Sequence, residues 1–407
     1  MISDVVVIGG GAAGMICAAT AAERGLDVIL LEPNRQLGRK VRITGKGRCN
    51  VTNNCEIKTV LENIPGSGKF LYSALNRLSP ADTMQLFESL GVPLKTERGN
   101  RVFPVSDSAH DIVEALARYM RDTGVRVLHE PALEVQMEDG VVTGVVTRSE
   151  TIVCRNAVVC TGGLSYPATG STGAGHRFAQ AAGHTVRPCR PSLVPLESPD
   201  EYCAQMQGFS LRNVTLSAFE DEKLIYQELG EMMFTHFGVT GPLVLSASAH
   251  FRHMGERTYR LEIDLKPALD EEKLDARILR DFEGQKNKEF KNALGGLAGR
   301  TMIPVLVALS GVDSETKVHS ITREQRHRLV HLFKHFPVRV SGTRPFAEAI
   351  VTAGGVALEE VNPRTMESKL VQGLYFAGEV LDLDAYTGGF NLQIAWSTGY
   401  VAGCSVE

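Results

Sequence analysis

The 407-residue chain lacks the features that mark several large protein classes. It has eight cysteines, but none form a C-x-x-C pair and no histidine stands at zinc-finger spacing, so a metal site is not expected. Positive charge is not in surplus, because the formal net charge is −4. Binding to nucleic-acid phosphates draws on a basic surface, so no nucleic-acid partner is predicted.

One charge-free stretch, residues 5–22, is long enough to raise the question of a membrane span. It contains four glycines and many alanines, and no basic segment precedes it as in a secretory leader. Cysteines scattered in this way are typical of reduced thiols in the cytosol. We therefore expect a cytoplasmic protein without membrane association, and the sequence leaves its oligomeric state open.

The N-terminal segment has the pattern of a strand, a helix and a second strand. A β-branched run at residues 3–8 is followed by glycines, by an alanine-rich helical segment at 12–24 and by a second apolar run at 27–31. This order predicts a β-α-β unit, the smallest module of a parallel sheet.

Glycines at the first turn have the spacing of a dinucleotide-binding loop. Gly9 permits a tight turn, Gly11 lets a pyrophosphate approach the backbone, and Gly14 lets the helix pack closely on the strand. The helix N-terminus offers free N–H groups and a positive dipole end to that pyrophosphate. Glu32 ends the second strand, where a carboxylate bonds ribose hydroxyls and repels a 2′-phosphate. The unit favours FAD or NAD over NADP, and a glycine turn without a ligand is the alternative.

Two further segments favour FAD. Residues 35–54 are rich in glycine and in cations, which predicts a long loop around a doubly anionic dinucleotide, or else a solvated basic loop. Near the C-terminus a strand at 374–377 runs into Glu379, and glycines at 388–389 open a helix that ends near residue 403. The acid suits ribitol or ribose hydroxyls, and the helix N-terminus suits the flavin edge where negative charge collects. A core strand and helix without a ligand is the alternative.

The middle of the chain has a different composition and residue pattern. Four prolines between 188 and 199 precede strand-like runs at 214–219 and 259–265, and residues 270–335 are charged and helical in pattern. Strand and glycine signals return from about residue 345. We predict an α/β fold, in which a Rossmann-like FAD-binding domain with a parallel sheet (residues 1–190 and 346–407) is interrupted by an inserted strand-rich and helical module (191–345).

Four stretches of the chain resemble the BaiN/YhiN-type, aminoacetone-oxidase-like family of FAD-dependent oxidoreductases. They are MISDVVVIGGGAAGMICAATAAERG, GRKVRITGKGRCNVTN, GEMMFTHFGVTGP and TAGGVALEEVNPRTMESKLVQGLYFAGEVLDLDAYTGGFNLQIAWSTGYVAG. The resemblance runs end to end, and it implies a non-covalently bound FAD in a domain interrupted by an inserted module. Members are similar to fumarate-reductase-type flavoproteins, and some are named as reductases of conjugated steroid ketones or as amine oxidases.

The resemblance also implies a set of cofactor contacts. The pyrophosphate would be held by Gly9, Gly11, Ala12, Ala13 and Gly14, and the adenosine ribose by Glu32. The other expected contacts are Arg39, Lys40, Gly45, Gly47, Arg48, Cys49 and Asn50 beside the dinucleotide, Val135 at the adenine, Thr161 and Gly162 near the pyrophosphate, Gly378 and Glu379 near the ribitol, and Gly389, Phe390, Asn391 and Leu392 at the isoalloxazine ring.

These features predict an FAD-dependent oxidoreductase that transfers a hydride between flavin N5 and a small organic substrate, such as a conjugated ketone. No second strand–glycine–helix unit is evident, so NAD(P)H is expected only as a transient electron donor. The alternatives are a flavin-dependent amine oxidase that uses O₂ and a flavin-binding tRNA-modifying or regulatory protein. The catalytic candidates are Arg48, which would stabilise the reduced ring, and His236, which would donate a proton from the inserted module. Cys49 is a weaker candidate, as a redox thiol.

Overall fold

The computed structural model describes all 407 residues and contains two compact units. Unit 1 comprises Met1–Ser192 and Phe346–Glu407, and unit 2 comprises Leu193–Pro345. The first boundary lies two residues beyond the predicted position of 190, and the second lies at the predicted position. No helix of the chain has both the length and the apolar character needed to cross a membrane.

Unit 1 is built on a five-stranded parallel sheet. The first strand, Val5–Ile8, lies at its centre between Val28–Leu31 and Asn156–Val159, and the edge strands are Leu374–Phe376 and Arg126–Leu128. The three central strands are buried along their whole length. Burial on both faces explains why these segments are nearly continuous apolar runs in the sequence.

Two helices from opposite ends of the chain pack against each other beside this sheet. The N-terminal helix, Ala12–Glu23, contacts the C-terminal helix, Phe390–Ser405, at two glycines of the latter. A Cβ atom on Gly399 would lie 2.4 Å from the carbonyl oxygen of Ala13, and one on Gly403 would lie 2.6 Å from that of Cys17. The small residues therefore let the backbones approach closely, which brings the two helix N-termini to the same region of unit 1.

Smaller elements complete unit 1. The segment at 35–54, predicted as a loop, contains a short helix that follows Gly38, whose φ of 62° turns the chain into it. Asp139 and Gly140 both have positive φ, so the predicted hairpin turn is present. The remaining strands are Thr52–Asn53, Leu94–Glu97, Arg101–Pro104, Glu134–Glu138, Val141–Val146, Thr151–Val153, Val186–Ser192 and Val351–Val356. The remaining helices are Arg39–Ile43, Ile57–Glu62, Tyr72–Arg77, Pro80–Ser89, Ala109–Asp122 and Ala174–Ala181.

Unit 2 contains a seven-stranded antiparallel sheet with helices and its own apolar core. Its strands are Leu196–Glu197, Ser210–Glu220, Lys223–Thr235, Gly238–Thr240, Tyr259–Asp264, Phe336–Val340 and Gly342–Thr343. Its helices are Glu201–Gln205, Pro242–Ser248, Glu271–Glu283, Phe290–Ala293, Ile303–Ser310 and Arg323–Lys334. The strand Lys223–Thr235 was not predicted, because its first nine residues bury only Tyr226 and show no apolar alternation.

Candidate functional site

The glycine loop at the end of the first strand is shaped by close backbone packing. Gly9 has a φ of 110°, and a Cβ there would lie 2.5 Å from the carbonyl oxygen of Cys160. A Cβ on Gly14 would lie 1.8 Å from the carbonyl oxygen of Gly9. A Cβ on Gly11, in contrast, would have no atom within 4 Å. Two of these glycines are thus needed by the protein itself, whereas Gly11 borders open space at a helix N-terminus, where an anionic group can approach.

Glu32 holds the turn that follows the second strand. One carboxylate oxygen accepts the N–H of Gly10 at 2.9 Å, and the other accepts the backbone N–H and side-chain amide of Asn34 at 2.9 and 2.6 Å. Asn34 in turn accepts a bond from the Arg39 guanidinium at 2.7 Å. Each carboxylate oxygen has two lone pairs, so the oxygen that accepts from Gly10 keeps capacity for one further bond, such as one from a ribose hydroxyl.

A network of an ion pair and hydrogen bonds joins four segments of the chain beside this loop. The Lys40 ammonium lies 2.5 Å from a carboxylate oxygen of Glu379 and 2.5 Å from the hydroxyl of Ser165. The other oxygen of Glu379 accepts the Ser165 hydroxyl and the Thr352 N–H, both at 2.8 Å. Both oxygens of Glu379 are therefore bonded to protein donors, and these bonds hold the segments of Lys40, Ser165 and Thr352 together. Thr352 was missed because nothing distinguishes it from other residues of a buried strand.

The N-terminus of the C-terminal helix is held in place by its own first residues. The preceding Gly389 has a φ of 100°, and a Cβ there would lie 2.4 Å from the backbone of Thr52. The Asn391 side chain accepts the N–H of Ala385 at 2.9 Å and donates to its carbonyl at 2.7 Å. That side chain is thus used by the preceding loop, and the first-turn N–H groups of Asn391 and Leu392, which have no intrahelical acceptor, are the donors that this helix end offers to a ligand.

One cleft in unit 1 collects most of the predicted contacts. It encloses about 1080 Å³ with its open mouth included. The predicted residues that line it are Gly9, Gly11, Ala12, Ala13, Glu32, Arg39, Lys40, Thr161, Gly162, Gly378, Glu379, Asn391 and Leu392. The predicted residues outside its lining are Gly14, Gly45, Gly47, Arg48, Cys49, Asn50, Val135, Gly389 and Phe390. Lining residues that were not predicted include Asn34, Gln36, Ile350 and Leu383.

The cleft fits a dinucleotide on several independent features. Two helix N-termini, at Ala12 and Phe390, present unpaired N–H groups and positive dipole ends in unit 1. The buried hydroxyl oxygen of Thr161 lines the cleft and has no partner within the protein. Open space lies over Gly11, where the chain places no side chain. These groups are suited to the pyrophosphate and to the negatively charged edge of a flavin ring.

Arg48 does not have the free charge that we expected of it. Its guanidinium pairs with the carboxylates of Glu97 and Asp107 and stacks on the ring of Phe103, with its carbon 4.1 Å from the ring centroid. The hydrogen bond from Arg48 lowers the pKa of Glu97. Lys95 pairs with the same two carboxylates, so two cations and two carboxylates offset one another in this cluster, and Arg48 lies outside the lining of the cleft. A role of Arg48 beside a reduced flavin ring stays a prediction.

The other two catalytic candidates have unremarkable surroundings. His236 is exposed at the turn between two strands of unit 2, with its ring edge-on to that of Phe237. Cys49 is fully buried, and burial raises the pKa of its thiol to about 12. A thiol with that pKa is rarely a thiolate near neutral pH, so a redox role for Cys49 is disfavoured.

Comparison with known proteins places the chain among flavin enzymes. The family model "HI0933-like protein Rossmann domain" matches residues 3–405. The chain is 32% identical to a ribosomal RNA dihydrouridine synthase of Haemophilus influenzae, over 100% of this chain and 98% of the relative. It is 30% identical to a 3-dehydro-bile acid delta(4,6)-reductase of Clostridium scindens, over 98% and 97% of the two chains.

A solved structure shows the same fold at low sequence identity. The 3-ketosteroid delta1-dehydrogenase of Sterolibacterium denitrificans aligns over 100% of this chain and 99% of its own, with a TM-score of 0.54 and 14% identity. At this identity the likeness concerns the fold alone.

Proposed function

Because this chain belongs to the HI0933-like Rossmann family of FAD-dependent oxidoreductases, we propose that it transfers a hydride to a carbon–carbon double bond conjugated to a carbonyl group. The observation that supports this proposal is a dinucleotide cleft in a chain with two relatives that align over their full length and are both named for reactions at double bonds. Dihydrouridine is uridine with its conjugated double bond saturated, and a bile acid delta(4,6)-reductase is likewise named for its action on double bonds of a ring system. NAD(P)H is the proposed electron donor, docking transiently because unit 1 has one glycine loop of this type.

The residues of the cleft have distinct roles in this proposal. The flavin, when bound, supplies the hydride and accepts electrons from the nicotinamide. The loop at Gly9–Gly11 and the N-terminus of the first helix bind the pyrophosphate, and Glu32 accepts ribose hydroxyls. The first-turn N–H groups at Asn391 and Leu392 stabilise negative charge on the ring edge, as oxyanion-type donors do. The Lys40–Glu379 pair keeps the walls in place.

The proposal is tested by anaerobic mixing of the purified yellow protein with NADH and with NADPH. We expect loss of the long-wavelength flavin absorbance with one or both donors. The reduced protein is then mixed with a 4-en-3-one steroid or with ribosomal RNA that lacks dihydrouridine. Reoxidation with the gain of two hydrogens in the product, measured by mass spectrometry, supports the proposal. Flavin reduction by amines alone, with reoxidation by O₂ only, contradicts it and favours the oxidase.

A uracil base within RNA is the second candidate substrate, favoured by the relative named as a ribosomal RNA dihydrouridine synthase, and one groove of unit 2 offers arginines to its phosphates. A groove beside the helix Arg323–Lys334 is lined by four arginines, of which Arg260, Arg328 and Arg339 each pair with a carboxylate and Arg323 does not. The net charge of −4 predicts that the chain does not bind RNA, but contacts to phosphates depend on the charge of the local surface rather than on that of the whole chain.

RNA binding is measured by fluorescence anisotropy with a labelled ribosomal RNA fragment at low salt. The double variant Arg323→Glu/Arg328→Glu is expected to bind roughly tenfold or more weakly, with a smaller dependence on salt. Arg280→Glu, an exposed arginine of the same unit outside the groove lining, is the matched control. Equal affinity of both variants, or no binding by the unaltered protein, removes this candidate and leaves a small enone as the substrate.

A further inference from the structure

Three side chains able to bind a metal meet on one side of unit 2. Glu271 begins the helix Glu271–Glu283, and His331 and His335 lie one turn apart at the end of the helix Arg323–Lys334. One ligand atom from each residue lies within 4.8 Å of the others, and the two imidazole centroids are 4.6 Å apart. Two imidazole nitrogens and a carboxylate oxygen are donors that zinc prefers, whereas magnesium and calcium take mainly oxygen ligands.

A fourth residue orients one of these ligands. The Nδ1 atom of His335 lies 3.0 Å from a carboxylate oxygen of Glu262, and its Nε2 atom lies 3.9 Å from a carboxylate oxygen of Glu271. When Nδ1–H donates to Glu262, the lone pair of Nε2 faces Glu271. A carboxylate behind a histidine in this way fixes the tautomer and ring orientation of metal ligands in proteins.

The cations around the cluster have carboxylate partners. Lys334 lies 2.6 Å from Asp264, Arg260 pairs with Glu262, and Arg339 lies 2.6 Å from Asp200. These pairs offset the positive charge close to the cluster. Repulsion of an incoming cation is thereby reduced, and Glu271 brings a further negative charge.

We propose that Glu271, His331 and His335 bind a zinc ion, with water completing its coordination. Zinc–ligand bonds of about 2.0–2.2 Å place the donors of a tetrahedral site about 3.3 Å apart, so ligand atoms that lie 3.9–4.8 Å apart must close by about 0.6–1.5 Å. They have room to do so, because the side chains of Glu271 and His335 are 62% and 41% exposed. The ion would join two helices of unit 2. Zinc-finger spacing does not reveal such a site, since Glu271 is remote in sequence from the histidines.

The test is zinc binding to the full-length, FAD-loaded protein after treatment with EDTA. We expect isothermal titration to give one zinc ion per chain with micromolar affinity, and Co²⁺ to produce the visible absorption bands of a nitrogen-ligated ion. His335→Ala and His331→Ala should each weaken zinc binding at least tenfold. Glu262→Gln should weaken it by about 10–100-fold, because the second carboxylate then no longer orients His335.

His327→Ala is the matched control, since His327 lies one turn before His331 on the same helix and outside the proposed ligand set. Its zinc affinity should equal that of the unaltered protein. The proposal is overturned if His335→Ala binds zinc as tightly as the unaltered protein, if His327→Ala loses as much affinity as His335→Ala, or if binding needs millimolar zinc. Circular dichroism of each variant checks that the fold is kept. Hydride transfer is a separate activity, so its failure leaves this test unaffected.

Discussion

The glycine loop allows the ligand and the fold to be perturbed separately. In Gly11→Ala, the added methyl group meets no protein atom within 4 Å. The backbone at Gly11 has a φ of −88° and a ψ of −165°, an extended conformation that alanine adopts readily. In Gly14→Ala, the methyl group would lie 1.8 Å from the carbonyl oxygen of Gly9, and neither backbone segment can move without separating helix from strand.

These geometries give different expected magnitudes. Alanine is a poorer N-cap than glycine by about 0.5 kcal/mol. Alanine also reduces the conformational freedom of the unfolded chain, which stabilises the folded protein by a similar free energy. The free energy of unfolding of the Gly11→Ala apoprotein should therefore lie within about 0.5 kcal/mol of that of the unaltered apoprotein. If the methyl group displaces the pyrophosphate from one charged hydrogen bond, the loss is about 1.5–3 kcal/mol, or roughly 10–150-fold in the Kd for FAD. Gly14→Ala should destabilise the apoprotein by about 3 kcal/mol.

The two variants are compared in two assays. Urea unfolding of the apoproteins, followed by circular dichroism, gives the free energies of unfolding, and quenching of flavin fluorescence gives the Kd for FAD. The expected result is a folded Gly11→Ala protein with weak FAD binding and a destabilised Gly14→Ala protein. An unchanged Kd for Gly11→Ala would refute the assignment of the space over Gly11 to the pyrophosphate. A stable Gly14→Ala protein would refute the packing argument.

Three further predictions concern charged and titrating groups. Glu32→Ala should weaken FAD retention through gel filtration, whereas Glu62→Ala, at an exposed residue outside the lining of the cleft, should not. Lys40→Met should lower the free energy of unfolding by about 2 kcal/mol because it leaves the partly buried Glu379 carboxylate without its cation, and Lys40→Met/Glu379→Gln should recover part of that loss in urea titrations. Burial lowers the pKa of His184, so the unfolded chain binds more protons than the folded chain at pH values between the two pKa values. The neutral, buried imidazole therefore contributes its full stability above pH of about 6.5, and that stability is lost as the pH falls below about 6.5 and through the lower folded-state pKa. The urea midpoint should therefore fall between pH 7.5 and 5.5, and by less in His184→Gln; an equal fall in both proteins would contradict this.

Sequence patterns were sufficient to predict structure where the residues that determine it lie within one short segment. The β-α-β unit was predicted because its strands are buried on both faces and its glycines stand at a fixed spacing. The family resemblance was confirmed by the match over residues 3–405. The exposed part of the strand Lys223–Thr235 was missed because pairing with its neighbour, rather than apolar burial, determines that it is a strand.

What the sequence determined by itself is the type of fold and the class of cofactor, since glycine spacing and buried apolar runs act over a few residues. The tertiary structure alone decided how the charges are used. Arg48 shares the carboxylates of Glu97 and Asp107 with Lys95, and Lys40 bonds Glu379, a residue at the other end of the chain. The partner of a charge is set by which segments the fold brings within a few ångströms, and that proximity is not encoded in local spacing.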